Sequence, residues 1–590
     1  MKKAATLLIL VFLIAPLFVV TSTPNFSGVT SEDKISVQNN VPLNIFQETS
    51  DIQRDIRVAL YDEPNITQTS YSYSGLWTTN VTEIEILLVN AGFAVTRLTA
   101  SEIDGNDTLR TALFDVFVMV DNTPRESITD EVLNFWRGGG GILSFDGAIS
   151  FLCYFGVMVP NSVGDHGHGA YWTYQWSTNH TVASRHPVAG EVMIGNKYVD
   201  YLNWATFDWS SLQGFSYSSE YTKITVTDTG TNWASTLARD TVKGGRVVHT
   251  FGDCNPIAEH HDQMIIDAIN WLCPRPIARV VFDYSHRPYY GIDAGDPDLG
   301  YSITARFYEW REALVNRSYT VDKLYKSPEG NLTADNLAPY DVLIIAAPLW
   351  NFTTAEIATV TNWVAEGGGL ILLGEQQTFI EENANVNYML TGFGGAMSLH
   401  NVTYPGGSFS TSDSEMHPTL EYVSTIHMEG GVYVNITGDA YALWYNGPNI
   451  VCAAQEYGAG RVFLAGDINF LGQYIGNDDN KQYAINLVNW LSSGAAPVLL
   501  YVDEPYSVNY YRTPVAQALN ELGVDYYVTT TGEFLNLSMS LQPWYLVIVD
   551  NPWFALGPWY SDFRDYIATG GRFLMSGYQV DNNAASPLWS

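Results

Sequence analysis

The sequence has few cysteines, and none of them form a Cys-x-x-Cys pair. The four are Cys153, Cys254, Cys273 and Cys452. The missing spacing argues against a zinc ribbon and against thioredoxin-type redox chemistry. An oxidising compartment would permit a disulfide between Cys254 and Cys273, and the alternative is that most of these cysteines are small buried apolar residues.

Basic residues are also scarce. The chain has 28 Lys and Arg against 62 Asp and Glu, which gives a net charge of −34. A charge of this sign and size repels nucleic acid and anionic lipid, and it favours cations or neutral molecules. We therefore expect no nucleic-acid partner, and we predict that the partners are proteins or carbohydrates at the cell surface.

Long apolar runs are missing after the N-terminus, where no later stretch approaches the roughly 20 residues of a membrane helix. The chain begins with Met1-Lys2-Lys3, an apolar run from Ala4 to Val20, and Thr21-Ser22-Thr23. This order is typical of a secretory signal segment, although a retained anchor is the alternative. We expect an exported, extracellular or cell-surface protein that meets the membrane only through this segment if it is not cleaved. Eleven Asn-x-Ser/Thr sites suit a glycoprotein.

One pattern of strands, helices and glycines occurs three times along the 590 residues. The opening strands lie at 56–61, 278–282 and 497–502, and each is followed by a helix and two further strands. A second helix then ends in glycines, at 138–141, 367–369 and 570–571, directly before a fourth apolar strand. Apolar strands that alternate with helices are typical of a parallel sheet covered on both faces. The pattern predicts tandem, doubly wound, mostly parallel α/β sheets, two of them complete and one partial.

The first two copies also share a second half. It contains His186-Pro187 and His417-Pro418, a strand-rich stretch, and the strands that begin Gly245-Arg246-Val247 and Gly460-Arg461-Val462. Both second halves end in a helix that closes with Asn-Trp-Leu. The predicted organisation is a signal peptide or anchor at 1–23, a flexible linker at 24–51, the first copy at 52–276, the second copy at 277–495 and a partial third copy at 496–590.

With its helix-Gly-Gly-Gly-strand step, its His-Pro and its Gly-Arg-Val-x-x-x-x-Gly-Asp-x-Asn motif, the chain resembles the class I glutamine amidotransferase-like superfamily, whose fold is flavodoxin-like. Within it, residues 52–590 look like the non-catalytic domains of gliding-motility and intraflagellar-transport type proteins. The resemblance implies a cysteine nucleophile, in catalytic members, at the bend after the fourth strand. The three bends here read Ser144-Phe-Asp-Gly147, Leu373-Gly-Glu-Gln376 and Met575-Ser-Gly-Tyr578. Since none contains cysteine and Cys153 falls further on, in the next predicted helix or loop, amidotransferase chemistry is not expected.

Acidic and amide side chains follow the carboxyl ends of many predicted strands, where sheets of this class bind ligands. Their oxygens suit calcium, or the hydroxyl groups of a sugar. The alternative is that they cap the helices that follow. The candidate ligand-binding residues are Asp62, Glu63, Asp121, Asn122, Asp146, Asp253 and Asn255 in the first copy, Asp283, Glu375, Asp467 and Asn469 in the second, and Asp503, Glu504, Asp550 and Asn551 in the third.

The first copy is rich in histidine. His166, His168, His260 and His261 would suit a transition metal if the fold brought their two segments together. The alternative is a set of loop histidines without a shared function. The segment Tyr171-Trp-Thr-Tyr-Gln-Trp176 would suit sugar stacking, or it fills a core.

Together these features predict an exported, non-catalytic surface or secreted protein, whose tandem domains bind a sugar, a cation or a protein. No cofactor is required, and calcium is the one that the acidic residues suit. The alternative is an enzyme, either a divergent amidotransferase-like hydrolase or a metal-dependent carbohydrate-active hydrolase that uses the first copy.

Overall fold

A computed structural model describes most of the chain between residues 55 and 576. Outside the described residues lie 1–54, 64–80, 105–107, 121–125, 146–147, 159–171, 174–178, 191, 193, 196, 200–205, 214–217, 228–231, 252–258, 293–305, 326–331, 495, 503–512, 551–555 and 577–590. Within the part described, none of the helices combines the length and hydropathy that crossing a membrane requires.

The first copy forms one mixed sheet with the strand order β2-β1-β3-β4-β11-β10-β9-β6-β7, while β5 pairs with β8 and β8 pairs with β10. The strands from β2 to β11 are parallel and the remainder are antiparallel. Its elements are β1 (Arg57–Tyr61), α1 (Val81–Asn90), β2 (Ala94–Leu98), α2 (Ala100–Ile103), β3 (Val116–Met119), α3 (Thr129–Arg137), β4 (Gly141–Phe145), α4 (Ile149–Tyr154), β5 (Trp172–Thr173), β6 (Asn179–Val182), β7 (Lys197–Val199), β8 (Thr206–Asp208), α5 (Trp209–Gln213), β9 (Tyr221–Thr227), β10 (Trp233–Arg239), β11 (Val247–Thr250) and α6 (Glu259–Leu272).

The second copy repeats this plan in the order β13-β12-β14-β15-β22-β21-β19-β16, with β20 added to β21 and a separate β17-β18 ribbon. Its parallel half runs from β13 to β22. Its elements are β12 (Arg279–Asp283), α7 (Tyr308–Asn316), β13 (Thr320–Leu324), α8 (Ala334–Leu337), β14 (Val342–Ala346), α9 (Thr354–Ala365), β15 (Gly369–Leu373), α10 (Ile380–Leu390), β16 (Met397–Thr403), β17 (Ser408–Thr411), β18 (Ile426–Glu429), β19 (Val432–Ile436), β20 (Tyr441–Asn446), β21 (Asn449–Tyr457), β22 (Gly460–Ala465) and α11 (Asn480–Ser492).

The third copy contains only the parallel part, in the order β24-β23-β25-β26. Its elements are β23 (Val498–Val502), α12 (Pro514–Glu521), β24 (Tyr526–Thr529), α13 (Gly532–Met539), β25 (Leu546–Asp550), α14 (Tyr560–Ala568) and β26 (Phe573–Ser576). All three sheets therefore begin with the strand order 2-1-3-4, which confirms the predicted fold class of tandem doubly wound α/β sheets.

The glycine turns work as the sequence predicts. Gly139 and Gly367 have φ angles of 102° and 127°, and Gly570, at the same point of the third copy, has 98°. Residues with a side chain rarely adopt this backbone conformation, so glycine is required where the helix must turn directly into the fourth strand.

Buried side chains cover both faces of each complete sheet. Along β3, Phe117 and Met119 join the core on one face, while Val116 and Val118 join the core on the other. One core cluster continues from Trp490 in α11 of the second copy to Leu500 in β23 of the third. Helix α11 therefore packs between the second and third sheets and contributes apolar side chains to the core they share. The predicted boundary at residues 495 and 496 stays a prediction.

Buried carboxyl groups connect the copies. Asp322 on β13 accepts hydrogen bonds from the backbone N–H groups of Thr111 and Ala112 in the first copy, at 3.1 and 2.9 Å. Glu421 in the second copy accepts from the N–H groups of Thr530 and Thr531, at 2.7 and 2.9 Å, directly before α13. A carboxyl group is favourable there because the first N–H groups of a helix have no partner within the helix.

Candidate functional site

The predicted ligand-binding residues have different surroundings in the three copies. After β1, Asp62 forms an ion pair with Arg97 at 2.9 Å, and Glu63 accepts from the N–H of Ala100 at the start of α2. Asp550 is buried at the end of β25. The role of these residues in binding stays a prediction. Asp121, Asn122, Asp146, Asp253, Asn255, Asp503, Glu504 and Asn551 lie outside the described residues.

In the second copy, Glu375, Asp467 and Asn469 form a buried acidic network at the carboxyl ends of β15 and β22. The side-chain amide of Asn469 donates to Glu375 Oε2 at 2.8 Å, and its backbone N–H donates to Asp467 Oδ1 at 2.6 Å. Their exposed fractions are 2% for Glu375, 0% for Asp467 and 7% for Asn469. The structure brings these three predicted residues together at one edge, because the carboxyl ends of parallel strands lie side by side. Their role in binding stays a prediction.

The other oxygens of the acidic network also accept hydrogen bonds. Glu375 Oε1 accepts from the N–H of Gln376 at 2.8 Å, and Asp467 Oδ2 accepts from the N–H of Glu429 at 2.6 Å. The hydroxyl of Tyr290 donates to Asn469 Oδ1 at 2.6 Å. Since each carboxylate oxygen already accepts from the protein, a bound calcium ion would have to share these oxygens with their present donors.

Burial dominates the protonation of the acidic network. Burial, together with the nearby Asp467 carboxyl, raises the pKa of Glu375 from 4.5 to about 8. Burial likewise raises the pKa of Asp467 from 3.8 to about 7, against the opposing effect of its backbone hydrogen bonds. The desolvated charges are unfavourable because protein interiors stabilise them less than water does. The pair therefore holds protons near neutral pH.

A second buried charge network joins the loop after β12 to the start of α9. Asp283 Oδ2 is 2.8 Å from His286 Nδ1, and Glu356 Oε1 is 3.3 Å from His286 Nε2. Burial opposes the charge on His286, but the two carboxylates more than offset this effect and raise its pKa. Asp283 was a predicted ligand residue, whereas His286 and Glu356 were missed. The signal for His286 was its position three residues after an aspartate at a strand end.

The bend after β15 carries a carboxyl group instead of a thiol. Asn383 Oδ1 accepts from the backbone N–H of Glu375 at 2.9 Å, which fixes the bend to α10. Cys153 lies in α4 and Cys452 in β21, and both are fully buried. Burial raises the pKa of both thiols, so neither is a thiolate at neutral pH.

The predicted metal residues of the first copy lie largely outside the described part: His166 and His168 fall there entirely, as does the side chain of His260. His261 is buried and stacks on Phe251, with ring centroids 4.2 Å apart. Burial lowers the pKa of His261 to about 3, which keeps the ring neutral. Among the described residues, no group of three His, Cys, Asp or Glu side chains is arranged to hold a metal ion.

Similarity to known proteins is limited to solved structures. No protein-family model matches this sequence, and no curated protein matches it either. Similar solved structures include the mmIFT52 N-terminal domain, at 16% identity and a TM-score of 0.29, which covers 37% of this chain and 98% of that domain. They also include a cytoplasmic protein from Salmonella typhimurium LT2, at 16% identity, a TM-score of 0.28 and coverage of 36% and 99%. A ThuA-like protein from Bacteroides uniformis is similar at 12% identity, a TM-score of 0.25 and coverage of 36% and 91%.

Proposed function

We propose that this chain is an exported, non-catalytic surface or secreted protein whose tandem α/β copies bind a ligand or partner. In this proposal it belongs to the non-catalytic branch of the amidotransferase-like superfamily. The observation that carries the proposal is the bend after β15, where Glu375 is buried and its two oxygens accept hydrogen bonds.

The chemistry of the bend supports this proposal. Nucleophilic catalysis by cysteine requires an exposed thiolate beside an aligned base. Glu375 has a pKa of about 8 and so keeps a proton at neutral pH, which makes its carboxyl a poor nucleophile. The Glu375 side chain is only 2% exposed, so a substrate in solution does not reach it.

The contacts between copies support a scaffold. Asp322 joins the second copy to the first, and Glu421 joins the third copy to the second. Asn489 in α11 also donates to the backbone carbonyl of Val528 at 2.9 Å. Hydrogen bonds between buried groups hold neighbouring copies at fixed positions, as an extended binding surface requires.

The experiment is a turnover assay on the purified full chain. Ammonia release from glutamine and hydrolysis of p-nitrophenyl acetate and of neutral oligosaccharides are measured for the wild type, Glu375→Gln and Asp467→Asn. We expect rates equal to those of a heat-denatured sample for all three proteins. A wild-type rate that either substitution abolishes would refute the proposal and establish an enzyme that uses the acidic network. Fractionation of cells that express the chain with residues 1–23 tests export, and retention of the whole chain in the cytoplasm would contradict it.

A further inference from the structure

Two loops and one helix lie together at the carboxyl edge of the second sheet, and each exposes an aromatic ring to solvent. Tyr289 follows β12, Trp350 follows β14 and Tyr388 lies on α10, which follows β15. Their exposed fractions are 38%, 44% and 42%. Exposure of large aromatic rings is unfavourable in water, and several of them on one edge therefore indicate a surface that binds.

Hydrogen bonds hold the two loops and α10 together. The N–H of Trp350 donates to the carbonyl of His286 at 3.1 Å, and the N–H of Tyr289 donates to the carbonyl of Ala346 at 3.3 Å. The side-chain amide of Asn385, one turn before Tyr388 on α10, donates to the carbonyl of Pro348 at 2.9 Å. The rings are therefore carried by one connected unit.

The backbone in these loops is strained at two residues. Arg287 has a φ angle of 56° and Ala347 has 42°, although neither is glycine. The buried contacts of His286 with Asp283 and Glu356 lie next to Arg287 and can hold this conformation. Strain of this kind persists only where the surrounding structure imposes it, and it is concentrated at functional sites.

We propose that Tyr289, Trp350 and Tyr388 form a stacking platform for neutral carbohydrate. The inference rests on the proposed non-catalytic binding function and names its ligand class. Each ring has an exposed part that can lie against the apolar face of a sugar, and each carries a polar group at its edge. The hydroxyl of Tyr388 is 3.3 Å from Thr354 Oγ1. The ring of Tyr289 packs edge-on against the ring of Phe379, with the ring centroids 4.7 Å apart.

The charge of Arg287 and the net charge of the chain favour a neutral ligand over a cationic or an anionic one. The guanidinium of Arg287 lies 5.9 Å from the centre of the Trp350 ring and supplies positive charge on one side of it, which disfavours a cationic ligand. The net charge of −34 disfavours an acidic polysaccharide or a nucleic acid. Neutral hydroxyl groups meet neither penalty, and the tyrosine hydroxyls of the platform can bond to them.

The test is calorimetric titration of the full chain with cellohexaose, β-1,4-mannohexaose and β-1,4-galactohexaose. We expect the wild type to bind at least one of them, Trp350→Ala to bind it about tenfold more weakly, and Trp350→Phe to lose about threefold. Tyr289→Ala should also weaken binding. Tyr422→Ala replaces an exposed tyrosine outside these loops and should bind as the wild type does. Circular dichroism melting of each variant shows whether it is folded.

The outcomes separate this inference from the proposed function. Wild-type binding that the folded Trp350→Ala and Tyr289→Ala variants retain would overturn the platform and leave the binding function in place. Failure of all three sugars to bind would overturn carbohydrate as the ligand class, as would a platform that binds only a protein. Hydrolysis of a bound sugar would instead refute the proposed function.

Discussion

Replacement of Glu375 by glutamine should remove a large part of the pH dependence of stability. Glu375 is 2% exposed and has a pKa of about 8, against 4.5 for the free side chain. Between these two values the folded chain keeps a proton that the unfolded chain has lost. The contribution of Glu375 to stability is therefore fully present below pH 4.5 and is lost as the pH rises through 8.

The magnitude follows from these two pKa values. Their difference corresponds to about 5 kcal/mol as an upper limit for an isolated group. Asp467, with a pKa of about 7, titrates together with Glu375, so the two contributions do not simply add. We expect the free energy of unfolding of the wild type to fall by about 3 to 5 kcal/mol more than that of Glu375→Gln between pH 5 and pH 9. The midpoint of thermal unfolding should fall by roughly 10 °C more.

The assay is urea and thermal unfolding of the full chain at several pH values from 5 to 9. In Glu375→Gln, the new NH₂ group faces another donor, either the N–H of Gln376 or the amide of Asn469. This lost hydrogen bond should lower the free energy of unfolding by about 1 to 3 kcal/mol at every pH. That constant offset is separate from the slope. Glu381→Gln, at an exposed position at the start of α10, is the matched control and should keep the wild-type slope. Equal slopes for the wild type and Glu375→Gln would show that Glu375 is ionised throughout, and our account of its burial would be wrong.

Three further predictions concern the contacts between copies, the loop network and the thiols. Glu421→Ala should weaken docking of the third copy by about 3 kcal/mol, because the N–H groups of Thr530 and Thr531 lose their acceptor, and limited proteolysis should then cut the third copy first; unchanged cleavage relative to the exposed Glu366→Ala control would contradict this. His286→Phe should lower the free energy of unfolding by about 3 kcal/mol or more at pH 6, since two buried carboxylates lose their cation, and an unaltered urea midpoint would argue against a charged histidine. Cys153 and Cys452 should resist iodoacetamide at pH 8 in the native chain and react in 8 M urea, as mass spectrometry can show; rapid native labelling of either would disprove their burial.

The sequence alone determined the repeated architecture. The predicted third strand of the second copy, 342–346, matches β14, and the other parallel strands agree to within about two residues. These signals are local, because a continuous apolar run, a helix and a glycine turn each depend on neighbouring residues. The positions of Glu375, Asp467 and Asn469 at one edge followed in turn from the parallel strand order.

Tertiary structure decided what those residues do. The sequence left Glu375 and Asp467 as either ligands or caps, and only the packing of β18 and α10 around them shows them buried and hydrogen-bonded to the protein. His286 and Trp350 gave weak sequence signals, because their roles depend on the contact between the loops that carry them. The conformation of a loop is fixed by residues distant in sequence, and so burial, pKa and exposed aromatic surface emerge only when the sheet is assembled.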